Sequence, residues 1–231
     1  MKKVLLYIMV ATLGLFSTRC EYDNYDPPTS ILSGNVMYNN VPVGVRSGAT
    51  QLELWQYSWN TRGVIAKAKI VVNIDQNGFY SSRLYDGDYK LVRLKGGPWA
   101  DQTDSIAVSV RGNTTLDVPV SPFFVINNPV FTFSGTDITS TCNLTKLGTY
   151  NITSLTLYVG LTNIVDQNNS SQTNVLSASA LTDLSTAKTN KVTLTAANLG
   201  RSYVYVRLGV LSAGSSERYY TPVQKISLSG N

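Results

Sequence analysis

Asn73-Ile74-Asp75-Gln76-Asn77-Gly78-Phe79-Tyr80-Ser81-Ser82-Arg83-Leu84-Tyr85-Asp86-Gly87-Asp88-Tyr89-Lys90-Leu91 decides the fold. Two tight turns, Asp75-Gln76-Asn77-Gly78 and Asp86-Gly87, separate three short extended segments. Asn, Asp and Gly tolerate the positive φ that such turns need, so each marks a reversal of the chain. The same rhythm extends to both sides. Short alternating segments at 31–38, 50–57, 68–74, 79–84, 89–94, 105–110 and 115–120 recur about every ten residues, the pattern of an all-β sandwich.

A second set of strands is expected at 130–133, 140–145, 154–159, 191–195, 203–211 and 219–228. Residues 203–210 alternate Tyr203, Tyr205, Arg207 and Gly209 with Val204, Val206, Leu208 and Val210, giving one aliphatic face and one aromatic-polar face. Between the two sets, Val120-Ser121-Pro122-Phe123-Phe124-Val125-Ile126-Asn127-Asn128-Pro129 combines prolines with a dense apolar run. It is expected to be a packed junction rather than a loose linker. The stretch 161–189 is rich in Asn, Ser, Gln and Thr and is expected to be a long loop, with one or two helical turns near 178–184. The expected fold is two tandem β-sandwiches, residues 30–120 and 121–231, the second immunoglobulin- or fibronectin III-like.

The 231-residue chain begins Met1-Lys2-Lys3, runs largely apolar from Val4 to Phe16, and reaches Ser17-Thr18-Arg19-Cys20. A basic start and a short apolar run read as a secretory signal (residues 1–19), too short to span a bilayer. A cysteine at the cleavage point makes Cys20 the expected lipidation site, with residues 20–29 as a polar tether. Arg19 stands where such signals usually carry a small residue, and ordinary cleavage nearby would instead leave Cys20 as a free thiol. Losing Lys2, Lys3 and Arg19 lowers the net charge from +5 to +2. No basic cluster of the kind that binds nucleic acid is visible, and nucleic acid is not an expected partner.

The chain contains no histidine, which removes Ser-His-Asp and Cys-His nucleophile chemistry and the usual imidazole metal sites. Its two cysteines, Cys20 and Cys142, make no disulfide framework. Cys142 lies in a β-branched, polar stretch and is expected to be a small buried hydrophobe. Asp75, Asn77 and Asp88 have the oxygen chemistry of a calcium site, but no Glu follows at the needed distance, and turn residues are the expected role. No pair of carboxylates stands out as a glycosidase pair. The chain is expected to be non-catalytic, with no cofactor and no metal.

The sharpest cluster is Glu53, Trp55, Tyr57 and Trp59. Alternate residues of a strand share a face, so Leu52 and Leu54 should point to the core while Glu53, Trp55 and Tyr57 point the other way. Flat rings suit the apolar face of a pyranose, with hydroxyls reaching Glu53, Gln56 or Arg62. Trp99, in the loop Gly96-Gly97-Pro98-Trp99-Ala100-Asp101, could extend the platform. The competing reading buries Trp55 and Tyr57 against the second domain, since aromatics dominate core and interface packing. Glycan contact is thus expected at Glu53, Trp55, Tyr57, Trp59 and Trp99, with exposure of the rings as the deciding observation.

Gly34-Asn35-Val36, Leu52-Glu53-Leu54-Trp55, Asn73 to Tyr80 and Asp86-Gly87-Asp88-Tyr89-Lys90-Leu91 resemble, in order and spacing, a carboxypeptidase regulatory-like, transthyretin-type sandwich. Over nearly its full length the chain also resembles a family of two-domain Bacteroidetes lipoproteins encoded near outer-membrane glycan-uptake genes. The residues that carry this are Cys20 to Pro27, Leu54-Trp55-Gln56, Phe79 to Gly87 and Pro122-Phe123-Phe124-Val125. The resemblance implies a lipid-anchored protein of the outer membrane, at the cell surface or facing the periplasm, tied to polysaccharide use; the cell surface is the expected location. Its implied partners are a polysaccharide or oligosaccharide and outer-membrane uptake proteins, and it implies no activity. Glu21 and Asp23 are similar to the acidic surface-export signals of that phylum. A structural or adaptor lipoprotein touching only neighbouring envelope proteins is the alternative, with a hydrolase third.

Overall fold

A computed structural model describes residues 26–56 and 69–228. The protein is all-β, built as two sandwiches in tandem. In the first, β1 (Ser30–Tyr38) forms a sheet with β2 (Val41–Pro42) and β5 (Phe79–Leu84), and β8 (Asn113–Thr115) and β9 (Val118–Pro119) run parallel to it. The facing sheet has the order β4 (Lys69–Asn73), β3 (Gln51–Gln56), β6 (Gly87–Arg93), β7 (Ile106–Val110), all antiparallel. Leu32, Val36, Leu52, Leu54, Ile74, Tyr80, Tyr89 and Leu91 fill the space between the sheets. The Asp75 carboxylate accepts the amides of Asn77 at 2.8 Å and Phe79 at 2.9 Å, and Gly78 takes φ 87°, where a side chain would be strained.

The second sandwich pairs β10 (Phe124–Ser134), β11 (Asp137–Lys146) and β14 (Lys188–Thr193) against a sheet of β13 (Gln172–Ser177), β12 (Ile152–Gly160), β15 (Tyr203–Ser212) and β16 (Tyr219–Tyr220). On this second sheet β17 (Gln224–Ser227) also pairs with β15. Val204, Val206, Leu208 and Val210 are all buried, as the alternation predicts. One reading is extended and one is corrected. The proline-containing run after Phe123 is strand, because β10 is an edge strand with a bulge between Asn127 and Val130 that accommodates Pro129. Within 161–189, residues 172–177 form β13 and only Ala178–Leu181 turns as a short 3₁₀ helix.

The two sandwiches share one contiguous apolar core that includes Trp99, Val120, Phe123 and Phe124. Polar contacts reinforce the junction. The Tyr220 amide donates to Gly44 O at 2.9 Å, Gln76 Nε2 to Asn163 O at 2.7 Å, and Ser215 Oγ to Gly96 O at 3.1 Å. Arg46 grips Glu217 with both Nε and an outer nitrogen of its guanidinium, the bidentate geometry that makes such pairs strong. A Cβ on Gly44 would sit 2.5 Å from Tyr220 O, so only glycine permits this backbone approach.

Arg207 is the deepest of these contacts, with no exposed surface. Its guanidinium donates to Thr221 O at 2.6 Å, to Val165 O at 3.2 Å, and across the junction to Gln76 O. It also stacks 4.3 Å above the Tyr220 ring. Burial lowers its pKa to about 10, against the opposing pull of Tyr220, Asp166 and Asp75.

Candidate functional site

β3 is a central strand of its sheet, so its outward residues are flanked on both sides. Leu52 and Leu54 are fully buried in the core. Glu53 and Trp55 therefore lie on the opposite face. Trp55 is half-buried and pairs in register with Lys69 of β4 and Lys90 of β6. Glu53 pairs with Val71, which is exposed, and with Val92. The face thus has a short row, Lys69–Trp55–Lys90, beside a second row in which Glu53 stands between Val71 and Val92. Cross-strand neighbours stand about 4.5–5.5 Å apart, close enough to act together on one ligand.

This row lies at the end of the sheet remote from the second domain. The junction uses Gln76 and the 96–100 loop, beyond the Asn73 and Arg93 ends of β4 and β6, whereas Gln56 pairs with Tyr89 near the other end. The described chain enters at that same far end, where Ser30 Oγ bonds the Asp86 carboxylate and Asp26, Pro27, Thr29, Tyr85 and Asp86 line a shallow hollow.

The five residues expected to meet glycan separate into three groups. Trp55 is partly exposed. Glu53 is only 7% exposed and gives its carboxylate to Lys69 Nζ at 2.9 Å, so it does not stand open to sugar hydroxyls as expected. Tyr57 and Trp59 lie outside the described residues, as do Arg62 and Cys20. The expectation that Trp99 extends an exposed platform is corrected: its ring is 2% exposed. Trp99 forms a β-bridge with Pro122, and the flanking bonds Ala100 N to Ser121 O and Phe123 N to Pro98 O pin it in the junction. It is also far from Trp55, at the opposite end of the sheet.

Several other carboxylates have structural partners. Asp75 closes its turn, and Asp88 takes Ser109 Oγ and lies 3.4 Å from Arg111, so Asp75 and Asp88 sit at opposite ends of the first domain. Buried Asp166 accepts the amides of Asn168 and Asn169, and Glu217 holds Arg46. Cys142 is buried on β11, and desolvation pushes its thiol up to about 11, far from a reactive thiolate. Among the described residues no group of three or more acidic or cysteine side chains gathers as a metal site.

Sequence reasoning passed over Lys69 and Lys90 as partners of Trp55. Only the pairing register places Lys69 and Lys90 on either side of the indole. It also passed over Arg207, which reads as one polar residue on an outward face until the 161–171 segment and the first domain cover it.

Fold and face together define a two-domain β-sandwich protein with a partly exposed tryptophan on a sheet surface. The chain belongs to the DUF3823 family. Residues 30–121 match its N-terminal domain, described as a protein of unknown function, and residues 124–225 match the DUF3823_C domain of unknown function. A DUF3823 family structure from Bacteroides ovatus is 33% identical, with TM-score 0.79, the match covering 86% of this chain and 99% of that one. Another from Parabacteroides merdae is 25% identical, with TM-score 0.77 and coverage of 87% and 100%. A candidate carbohydrate-binding protein from Bacteroides uniformis is 18% identical, with TM-score 0.70 and coverage of 87% and 99%, a likeness of fold. A comparison with curated proteins finds no match.

Proposed function

We propose that this protein is a non-catalytic, lipid-anchored binder of glycan at the cell surface, working beside an outer-membrane polysaccharide uptake system. The observation that carries the reading is Trp55, part-exposed on the outer face of β3 between two lysines. An aromatic ring held on a rigid sheet stacks on a pyranose with little loss of conformational freedom. A neighbour of the same fold is described as a candidate carbohydrate-binding protein, which supports this choice of ligand. The use of Glu53, Glu217, Asp75 and Asp166 in structural bonds supports a binding role over a hydrolytic one. The test is a screen of residues 21–231 against immobilised polysaccharides. Retardation by at least one glycan is expected, and no retardation by any would overturn the reading.

The burial of Trp99 favours a second reading, in which the aromatic residues serve packing and the protein is an adaptor between neighbouring envelope proteins. Under that reading the polysaccharide screen is blank, while cross-linking in cells captures a defined protein partner.

Cys20 lies six residues before Asp26, so the intervening chain spans at most about 20 Å. A lipid on Cys20 would hold the Trp55 end of the first domain toward the membrane and the second domain away from it. Labelled palmitate is expected to enter the wild-type protein and not Cys20→Ala. Equal labelling of both, or of neither, would contradict lipidation at Cys20. One acyl chain anchors only marginally, so stable attachment requires the two or three chains of a bacterial lipoprotein.

A further inference from the structure

We infer that Tyr150 of the second domain is a further stacking platform for a pyranose ring, separate from the Trp55 face, so that each domain supplies one aromatic contact to glycan. This rests on the glycan-binding reading above and adds a site to it.

Tyr150 lies in the short connection between β11 and β12 and is 50% exposed, the most open aromatic residue among those described. A large apolar surface left to water on a well-packed domain marks a contact site. The backbone around it is pinned on both sides. The amides of Leu147 and Gly148 donate to Phe123 O at 2.9 and 3.1 Å, and the Ala213 amide donates to Asn151 O at 2.9 Å. The ring is held as well. A Cβ on Gly214 would run into Cδ2 and lie 2.6 Å from both Cγ and Cε2, so the ring rests face-on against the Gly214 backbone, where only glycine lets it lie. Phe123 meets it at an interplanar angle of 87°, with centroids 5.2 Å apart. With one face on Gly214 and half of the residue open, the opposite face points to solvent. Tyr203, the other exposed tyrosine of this domain, differs in having Lys225 Nζ already 3.8 Å over its ring.

A ring fixed in this way offers the flat apolar surface that the C–H face of a pyranose needs, with little conformational freedom left to lose on binding. Sugar hydroxyls need polar partners at the rim. Lys146 Nζ donates to Asn151 Oδ1 at 3.4 Å, which draws these two side chains together next to Tyr150. An ammonium carries three donors and an amide two, so the pair keeps donors for a ligand. The platform stands beside the junction, because Ser215, the residue after Gly214, donates its hydroxyl to Gly96 O of the first domain at 3.1 Å. Trp55 lies at the other end of the first domain. A polymer long enough to reach both rings gains avidity without any new contact. An exposed tyrosine also suits a protein interface, and the test includes that outcome.

Residues 21–231 are run through gels containing amylopectin, laminarin, arabinoxylan or pectic galactan, and affinity is then measured for the polymer that retards the wild type most. Tyr150→Ala and Tyr150→Leu should each weaken binding about 10-fold, and Tyr150→Phe should keep it. Leu keeps an apolar side chain against Phe123 but has no flat ring, so the Leu and Phe variants separate stacking from packing. The denaturant midpoint of each variant shows that the fold is kept. Where Tyr150→Ala does not fold, Leu against Phe decides, and equal affinity of those two overturns the inference. Loss of binding in Trp55→Ala with wild-type affinity in Tyr150→Ala and Tyr150→Leu also overturns it, in favour of a protein contact at Tyr150, and leaves the glycan-binding reading standing. Loss at Tyr150 with none in Trp55→Ala supports the inference and moves the glycan contact off the Trp55 face. Retardation by none of the four polymers removes both.

Discussion

Replacing Arg207 with Met is expected to destabilise the protein by roughly 3 kcal/mol, as a lower denaturant midpoint with an unchanged m-value. The change keeps most of the side-chain volume and removes every donor. Three carbonyls, those of Gln76, Val165 and Thr221, then lose the guanidinium. Hydrogen bonds to a charged donor are worth about 1.5–3 kcal/mol each. Against this stands relief from burying a charge. The depression of the Arg207 pKa to about 10 reflects that penalty, partly offset by Tyr220, Asp166 and Asp75. The bonds outweigh it because there are three of them and a stacked Tyr220 besides. Arg207→Lys should fare little better, since one ammonium cannot reproduce a planar fork aimed at three segments. An unchanged or raised midpoint for Arg207→Met would show that the buried charge is a burden the junction does not need.

Trp99→Ala is expected to cost about 3–5 kcal/mol, through lost apolar burial and the cavity left behind. The ring sits where the two sandwiches share their core, and the loop that holds it is pinned to the junction segment 121–123 by two backbone bonds. Little rearrangement can fill the space. Glycan affinity of the Trp55 face in the folded fraction should be unaffected, because Trp99 and Trp55 lie at opposite ends of the sheet. A loss below about 1 kcal/mol would mean that the junction collapses onto the gap and is softer than its contacts imply.

The strands of the first domain were legible because each buries one face and shows the other. Leu52, Leu54 and the alternation of Tyr89 and Leu91 carry that signal in the sequence itself. β13 was not legible, because Gln172–Ser177 is largely exposed and buries no continuous face that would leave a periodic pattern. The run 119–129 read as a packed junction, and its strand was hidden by Pro129, which belongs to a bulged edge strand where no ladder bond is asked of its nitrogen. The site divided in the same way. The outward direction of Trp55 followed from period-two alternation alone. The burial of Trp99, the pairing of Glu53 with Lys69 and the sealing of Arg207 depend on which segments pack together, and local sequence does not encode that partnership.

The most direct test of a glycan-binding face is Trp55→Ala, measured for folding stability and for affinity toward the best polysaccharide in the same preparation. Trp55 is half-buried on a sheet surface, so its removal should lower stability by less than about 1.5 kcal/mol, well short of the Trp99 change. As the aromatic centre of the face it should carry a large share of binding, and affinity should fall about 10-fold or more. Unchanged affinity, together with a stability loss as large as that of Trp99→Ala, would contradict the account and make Trp55 a packing residue.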